Sequence, residues 1–326
     1  MRLGVHGSDD KSIRNEPNVH FYSIAGLSVG SEIVLPGLNA AAPDHGSPDV
    51  TIRGGAVPAA FANATASGPT WQIAGQQFLL RIPRVARFLL TGGNEIAFEA
   101  EPGADAGDIP TFILGTAFGI LMHQREQIVL HASAVRVNDR AILFCGPSGA
   151  GKSTLAAALS RRGYRLITDD FCTITVTAAG TPVVHPDGRQ LKLWAQAIEK
   201  LDLKESRGER VRKKLEKFYV DPGEAHVEAL PLGAVYALRE ARPPLVPGIE
   251  RPNMADAAVL LRRNAYRPRL VARLNQKVLY FHAAATIANN AGIFHLTRKL
   301  DFAAMPEVVS LLERHWLDIG LMEKAA

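Results

Sequence analysis

The chain contains 326 residues, of which 47% are hydrophobic and 21% are charged, and its formal net charge is +5 at pH 7. This length exceeds that of an average domain and the composition is ordinary for a globular protein, so we expect two domains that each bury a core. The N-terminal segment lacks the apolar stretch of a signal peptide, and the longest apolar stretch, residues 112–122, is too short to span a bilayer. Cys145 and Cys172 form neither a disulfide framework nor a zinc pattern. These features predict a cytoplasmic protein without a membrane segment.

Residues 19–100 alternate short apolar runs with Pro, Gly, Asn and Asp, which favour turns. The clearest runs cover residues 19–24, 50–52, 71–73 and 78–82. Runs of this length and composition are typical of strands. The polar segment 101–110 follows them, so we predict a β-rich N-terminal domain over residues 1–104 and a second domain over residues 105–326.

The second domain begins with a predicted helix and a pair of predicted strands. Residues 111–125 read as an apolar helix, and residues 128–132 and 134–137 read as strands. A short turn then leads into a buried strand over residues 141–145.

Residues 146–153 complete the G-x-x-x-x-G-K-[ST] pattern of a phosphate-binding loop. They are Gly146, Pro147, Ser148, Gly149, Ala150, Gly151, Lys152 and Ser153. Glycines let successive backbone N–H groups approach phosphate oxygens, and the N-terminus of the following helix, rich in helix formers over residues 155–159, faces the same anion. Lys152 can reach the β- and γ-phosphates, and Ser153 can bind Mg²⁺. Thr154 is expected to contact the nucleotide and not the metal. The pattern predicts a nucleoside triphosphate site.

An acidic pair, Asp169 and Asp170, follows the next predicted strand, residues 164–167. Phosphoryl transfer needs a carboxylate that helps to hold Mg²⁺ and a group that orients or deprotonates the acceptor, and the pair supplies candidates for both roles. The alternative is a turn at the end of a strand. The pair follows the first helix directly, which argues against transport ATPases and switch GTPases. His131 lies at the head of a predicted strand, where a histidine can be either structural or functional.

Later segments predict a hairpin over residues 173–177 and 182–184, a strand over 234–238 and helices over 254–264 and 306–316. Basic residues form two clusters. The first contains Lys204, Arg207, Arg210, Arg212, Lys213, Lys214 and Lys217, and the second contains Arg262, Arg263, Arg267, Arg269 and Arg273. Such clusters can bind phosphates, an acidic peptide or nucleic acid, or can form the solvated face of a helix. Aromatic residues are not interleaved with them as stacking platforms, so we expect no nucleic-acid partner.

Four segments together resemble the catalytic core of the bacterial HPr serine kinase/phosphorylase family. They are residues 131–134, 146–153 and 160–166 and the pair Asp169-Asp170. The resemblance implies an α/β fold with a phosphate-loop kinase core like that of HPr kinase and phosphoenolpyruvate carboxykinase, preceded by the smaller β-rich domain. It also implies that Ser153 and Asp169 bind Mg²⁺, that Asp170 is the general base and that His131 lies near the transferred phosphate.

The chain departs from that family at two places. Thr154 stands where HPr kinases have Glu, and the segment 185–194 replaces their Glu-x-Arg-Gly-x-Gly sequence. That segment, together with residues 22–27, 35–36 and 49–53, is similar to the HPr-kinase-related proteins encoded in lasso-peptide gene clusters. Members of that group phosphorylate the C-terminal serine of a precursor peptide.

The sequence therefore predicts an ATP- and Mg²⁺-dependent kinase that acts on a serine of a precursor peptide. Arg189 and Lys192 could stabilise charge on the transferred group or bind an acceptor carboxylate. The alternatives are a small-molecule kinase and a nucleotide-dependent regulatory or peptide-binding protein with little turnover, although a binding module has no need of a base. The sequence leaves four alternatives undecided. They are the preference for ATP or GTP, the presence of the reverse reaction, the identity of the base as Asp169 or Asp170, and the formation of a homo-oligomer.

Overall fold

The computed structural model describes residues 19–42, 46–187, 190–212, 215–221, 223, 226 and 228–323. The fold is a mixed α/β arrangement of several sheets and helices. Within these residues, every helix falls short of the length and apolar character that a bilayer-spanning segment requires.

The N-terminal part of the described chain forms an eight-stranded sheet. Its strands are β1 (His20–Ile24), β2 (Leu27–Ser31), β3 (Val50–Gly54), β4 (Ala66–Gly68), β5 (Trp71–Ala74), β6 (Gln77–Ile82), β7 (Ala86–Thr91) and β8 (Glu95–Ala100). Their order across the sheet is β1-β2-β3-β8-β7-β6-β5-β4. The four predicted strands are confirmed as β1, β3, β5 and β6, and the other four pair with them to complete the sheet.

A helix follows this sheet and packs against it. It consists of α1 (Asp108–Phe112), a π-helical turn (Ile113–Ala117) and α2 (Phe118–Gln124). The helix predicted over residues 111–125 is therefore confirmed. Its apolar side chains share one buried core with the strands of the N-terminal sheet, and Phe171 and Tyr266 from later in the chain complete that core. The N-terminal sheet thus packs directly against the part of the chain that contains the predicted site.

The central sheet has nine strands. They are β9 (Ile128–Leu130), β10 (Ala132–Val137), β11 (Arg140–Cys145), β12 (Leu166–Thr168), β13 (Cys172–Val176), β14 (Pro182–His185), β18 (Leu230–Glu240), β19 (Gly248–Glu250) and β20 (Ile293–Arg298). Strands β11, β18 and β20 are parallel. Because β10 is antiparallel to both β11 and β12, β12 points the same way as β11. The carboxyl ends of β11, β12, β18 and β20 therefore lie at one edge of the sheet.

Helices cover both faces of the central sheet. They are α3 (Lys152–Arg161), α4 (Ala195–Lys200), α5 (Met254–Arg263), α6 (Pro268–Arg273), α7 (Lys277–Asn290) and α8 (Met305–Asp318). Side chains of α3, α4 and α8 are buried on one face, and those of α5 and α7 are buried on the other. The predicted helices near residues 254–264 and 306–316 are confirmed as α5 and α8, and the predicted hairpin is confirmed as β13 and β14.

A small third sheet contains three residues of the first basic cluster, Arg207, Arg210 and Lys217. Its antiparallel strands are β15 (Leu191–Trp194), β17 (Lys217–Val220) and β16 (Arg207–Arg210). Of the two alternatives for this cluster, the helix face is wrong, because Arg207, Arg210 and Lys217 lie on strands. Arg207 lies 3.6 Å from the centre of the Phe218 ring, and Arg212 forms an ion pair of 2.8 Å with Asp108. Lys213 and Lys214 lie outside the described residues.

Candidate active site

The strand directions bring the predicted site residues to one edge of the central sheet. The glycine-rich loop follows the carboxyl end of β11, and the acidic pair follows the carboxyl end of β12. His131 immediately precedes β10, which is antiparallel to both strands, so it lies at the same edge. The carboxyl edge of parallel strands is where open α/β sheets bind their ligands.

The glycine-rich loop adopts a backbone that favours glycine. Gly149 and Gly151 have φ angles of 84° and 79°, and Gly146 has a φ angle of 153°. L-residues with a side chain rarely adopt such angles. Gly151 is the N-cap of α3, so the unpaired N–H groups of the first helical turn point toward the loop. Ser153 and Thr154 belong to that first turn and are partly exposed.

Lys152 is folded back over the loop. Its Nζ donates hydrogen bonds to the carbonyl oxygens of Gly146 and Pro147 at 2.9 and 3.2 Å. Burial lowers the pKa of Lys152, and the carboxylates of Asp170 and Asp169 partly offset this effect. The ammonium group thus lies beside the loop. If an anion bound there, the ammonium group would bond to the anion instead of to the two carbonyl oxygens.

Arg298 also contacts the loop, and it was not predicted from the sequence. It is the last residue of β20, so the parallel arrangement of β11, β18 and β20 brings it to the same edge. One terminal nitrogen donates to the Ala150 carbonyl oxygen at 2.7 Å, and the side chain is only 3% exposed. A Cβ atom at Gly151 would collide with the guanidinium group. No local motif marks this arginine, because its position depends on a pairing between strands far apart in the chain.

Asp169 is held rigidly at the end of β12. It is 1% exposed, and its two carboxylate oxygens accept hydrogen bonds from Ser133 Oγ at 2.6 Å and from the backbone N–H of Lys192 at 3.1 Å. The carboxylate therefore links three segments of the chain.

Asp170 has a φ angle of 73°. This left-handed conformation is uncommon for a residue with a side chain, although Asp and Asn adopt it more readily than most. Asp169 anchors it on one side, and Phe171 anchors it on the other through edge-on contacts with Phe118 and Tyr266. The side chain of Asp170 keeps 29% of its surface exposed. The strained backbone is thus fixed from both sides and presents the carboxylate at the open edge.

His131 and Lys192 flank the Asp170 carboxylate. His131 Nδ1 lies 3.5 Å from one Asp170 oxygen, and Lys192 Nζ lies 3.8 Å from the other. The His131 ring stacks on Tyr266, with ring centres 6.1 Å apart. Burial lowers the pKa of His131, and the charge of Asp170 acts in the opposite direction. The predicted His131 and acidic pair therefore lie together.

Strands β15 and β17 form the opposite side of the site, which we call the strand wall. Side chains two residues apart on a strand share a face, and residues paired across strands do so as well. Lys192 pairs with Tyr219 and Trp194 pairs with Lys217, so these four side chains share the face toward the acidic pair. Lys217 is close enough for its charge to lower the pKa of both His131 and Lys152. Lys192 was predicted from the sequence as a substrate residue, but the sheet that positions it was not.

The N-terminal sheet supports the strand wall through two loops. The N–H of Ala25 donates to the Pro186 carbonyl oxygen at 3.0 Å, and the N–H of Gln190 donates to the Gly37 carbonyl oxygen at 3.1 Å. A Cβ atom at Gly37 would lie 2.8 Å from the Tyr219 ring. The predicted substrate residue Arg189, adjacent to Gln190, lies outside the described residues.

The donor set fits a nucleotide with Mg²⁺. Within the described residues, no group of three or more His, Cys, Asp or Glu side chains could hold a metal ion. Mg²⁺ at phosphoryl-transfer sites is usually bound by one or two carboxylates together with the phosphates, so such a group is not required. Ser153 and the acidic pair supply a hydroxyl and carboxylates at the edge where the glycine-rich loop begins.

Comparison with known proteins gives a likeness to solved structures only. No family model and no curated protein matches the chain. Among solved structures, the HPr(Ser) kinase/phosphatase from Coxiella burnetii is similar, with 13% sequence identity over 59% of this chain and 92% of that chain and a TM-score of 0.33. A likeness with this TM-score carries no argument about function. The function is therefore inferred from the side chains of the site.

Proposed function

We propose that the protein is an ATP-dependent kinase that transfers the γ-phosphoryl group to a serine hydroxyl of a peptide, with the C-terminal serine of a lasso precursor peptide as its acceptor. The convergence of the glycine-rich loop, Lys152 and the acidic pair at one sheet edge is the observation that supports this function most directly. Phosphoryl transfer depends mainly on positioning and charge stabilisation, and these groups supply both.

On the nucleotide side, the loop amides and the N-terminus of α3 bind the phosphates, and the Lys152 ammonium group moves from the loop carbonyls to the β- and γ-phosphate oxygens. Ser153 and Asp169 would hold Mg²⁺. When bound, this ion neutralises charge on the β- and γ-phosphates. Arg298 braces the loop through the Ala150 carbonyl oxygen.

On the acceptor side, Asp170 accepts the proton of the serine hydroxyl as the serine oxygen forms its bond to the γ-phosphorus. The bond from the γ-phosphorus to the bridging oxygen breaks, and ADP leaves with that oxygen. His131 and Lys192 hold the Asp170 carboxylate from two sides and keep it at the open edge of the site. A base fixed in this way loses little freedom when the acceptor arrives.

A terminal serine brings its own carboxylate, and the strand wall presents two cations to it. Lys192 and Lys217 share one face, and Arg189 follows from the sequence as a third candidate. A charge-assisted hydrogen bond to that carboxylate is worth roughly 1.5–3 kcal/mol, equivalent to about 10- to 150-fold in apparent affinity. We therefore expect the enzyme to prefer strongly a peptide with a free C-terminus.

The test compares paired peptides that end in serine as the free acid or as the amide, with phosphate incorporation measured by mass spectrometry. Lys192 also contacts Asp170, so a slower rate in Lys192→Ala could come from either contact. For Lys192→Ala and Arg189→Ala we therefore compare the ratio of the rate with the acid peptide to the rate with the amide peptide. Lys200→Ala, at an exposed lysine near the end of α4, is the matched control. Equal rates for acid and amide would refute carboxylate recognition, and phosphorylation of an internal serine would refute the terminal acceptor while retaining the kinase. Turnover of a free alcohol without any peptide would favour a small-molecule kinase.

A further inference from the structure

A cavity of about 340 Å³ opens beside the glycine-rich loop. Gly149, Gly151 and Thr154 line it on the loop side, so it is continuous with the proposed phosphate site. Its volume falls within the range of about 300–1,000 Å³ that is usual for small-molecule sites. We call it the base cleft and define it by the lining residues Thr154, Trp194, Gln196, Leu300, Phe302 and Met305.

The base cleft has apolar and aromatic walls that remain open to solvent. Trp194 at the end of β15 is 53% exposed, and Leu300 after β20 is 47% exposed. Phe302 belongs to a short 3₁₀ turn, which Asp301 fixes by accepting a hydrogen bond from the Ala303 N–H at 3.0 Å. Aromatic side chains beside an anion site are suited to stacking on a nucleobase.

Polar groups in the base cleft are few, as in most small-molecule sites. Gln196 contributes an amide and Asp301 a carboxylate, and Arg298 lies between the base cleft and the loop. The Nε atom of Arg298 is buried and has no hydrogen-bond partner within the described part of the chain, while its terminal nitrogen contacts Ala150. A buried donor of this kind is costly to leave unpaired, so it points to a polar ligand group at the junction.

The strand wall connects the base cleft to the acidic pair. Trp194 and Lys192 are two residues apart on β15 and therefore share a face. Lys192 lies against Asp170, whereas Trp194 lies in the base cleft. A ligand that occupies both the base cleft and the loop would thus extend along the same face toward the residues proposed for phosphoryl transfer.

From these contacts we infer that the base cleft binds the nucleobase of the nucleoside triphosphate, with the base against Trp194 and Phe302 and with Arg298 at the start of the phosphate chain. This inference rests on the proposed function, because it assumes that the loop binds the phosphates. It assigns the nucleoside to residues outside the glycine-rich loop.

The experiment separates the base from the phosphates by comparing ATP with inorganic tripolyphosphate, each with Mg²⁺, by isothermal titration calorimetry. Base stacking predicts that ATP binds about 10-fold more tightly than tripolyphosphate. Trp194→Ala should remove most of that difference and leave the affinity for tripolyphosphate unchanged. Trp194→Phe should retain most of it, because an aromatic ring remains. Phe281→Ala, at an aromatic residue on α7 that is 56% exposed and lines a different cavity, is the matched control.

Tryptophan fluorescence gives an independent readout. Trp316 is fully buried and Trp71 stacks on Phe78 in the N-terminal sheet, so ATP should quench mainly the emission of Trp194. Tryptophan quenching that persists in Trp194→Phe would overturn the inference. Equal affinities for ATP and tripolyphosphate would also overturn the inference while leaving the phosphate site intact. So would an equal decrease of the two affinities in Trp194→Ala. Failure of both ligands to bind would instead refute the proposed function, and the inference with it.

Discussion

The glycine-rich loop and the strand wall face each other across the site, but they are built in different ways. The loop is one continuous segment whose shape comes from its backbone, with positive φ angles at three glycines. The strand wall is built from side chains on two strands, and distant loops at Ala25 and Gly37 hold it in place. The comparison indicates that the proposed nucleotide side is encoded locally, whereas the proposed acceptor side depends on the packing of the whole chain.

The substitution with the largest expected effect is on the loop side. Lys152→Ala should abolish measurable phosphoryl transfer, because the ammonium group that would contact the γ-phosphate is lost. The fold should survive because the loop is shaped by its backbone, so the melting temperature should change little. Transfer is measured as ADP formation with the peptide acceptor, and Lys200→Ala is the exposed-lysine control. Full activity in Lys152→Ala would remove the loop from the mechanism.

On the acceptor side, Asp170→Asn should slow transfer by about 10²–10⁴-fold, which is typical for loss of a general base. Binding of ATP and Mg²⁺ should be preserved, because Asp170 faces the acceptor. Asp169→Asn should instead raise the Mg²⁺ concentration required for half-maximal rate. A metal titration that shows the two effects exchanged would reverse the assignments. If neither substitution slows turnover, the pair is structural.

A smaller effect is expected when the support of the strand wall is disturbed. Gly37→Ala places a Cβ atom 2.8 Å from the Tyr219 ring at a φ angle of 76°, so it should displace the wall. Misplacement of this kind can reduce kcat/KM for the peptide by up to about 10²-fold. The KM for ATP should stay unchanged, because the loop is built separately.

Gly75→Ala is the control for that experiment. Gly75 has a φ angle of 56° and no neighbour that a Cβ atom would meet within 4 Å. The Gly75→Ala substitution therefore imposes a similar backbone strain without a steric collision. An equal loss of peptide turnover in both variants would show that strain in the N-terminal sheet, and not contact with the strand wall, is responsible.

The smallest predicted effect is a dependence of stability on pH. Burial lowers the pKa of His131 beside the acidic pair and of His185 beneath the N-terminal loop. The unfolded chain then binds more protons than the folded protein, so stability falls as the pH drops through 6.5 toward the folded values. Asp49, whose pKa is lowered mainly by the backbone hydrogen bond from Ser28, contributes in the same direction but only near and below 3.8.

Calorimetry between pH 8 and pH 5 tests this prediction. The melting temperature should be nearly constant down to about pH 7 and should then decrease by a few degrees. His185→Gln, which can still bond to Thr175 Oγ1, should make the decrease smaller. A melting temperature that stays flat or rises toward pH 5 would contradict the assignment.

Much of the site could be predicted because its signals are short in sequence. The strand at residues 141–145, the loop and the following helix form one continuous pattern, and the structure confirms that secondary structure as β11 and α3. His131 and the acidic pair are also predicted from short segments of the sequence. For the first basic cluster the sequence left a ligand-binding patch and a helix face as alternatives, and the pairing of β16 with β17 places Arg207 and Arg210 on a strand.

The sequence by itself determined the glycine-rich loop, the acidic pair and the order of the elements around them, because turn geometry, capping and apolar periodicity act over a few residues. Tertiary structure alone decided that Arg298 braces the loop, that Asp170 is fixed in a left-handed conformation, and that Trp194 opens into a cleft beside the loop. These features depend on strand pairing and on burial of Phe171 in a distant core. Such contacts arise only when segments far apart in the chain exclude water together.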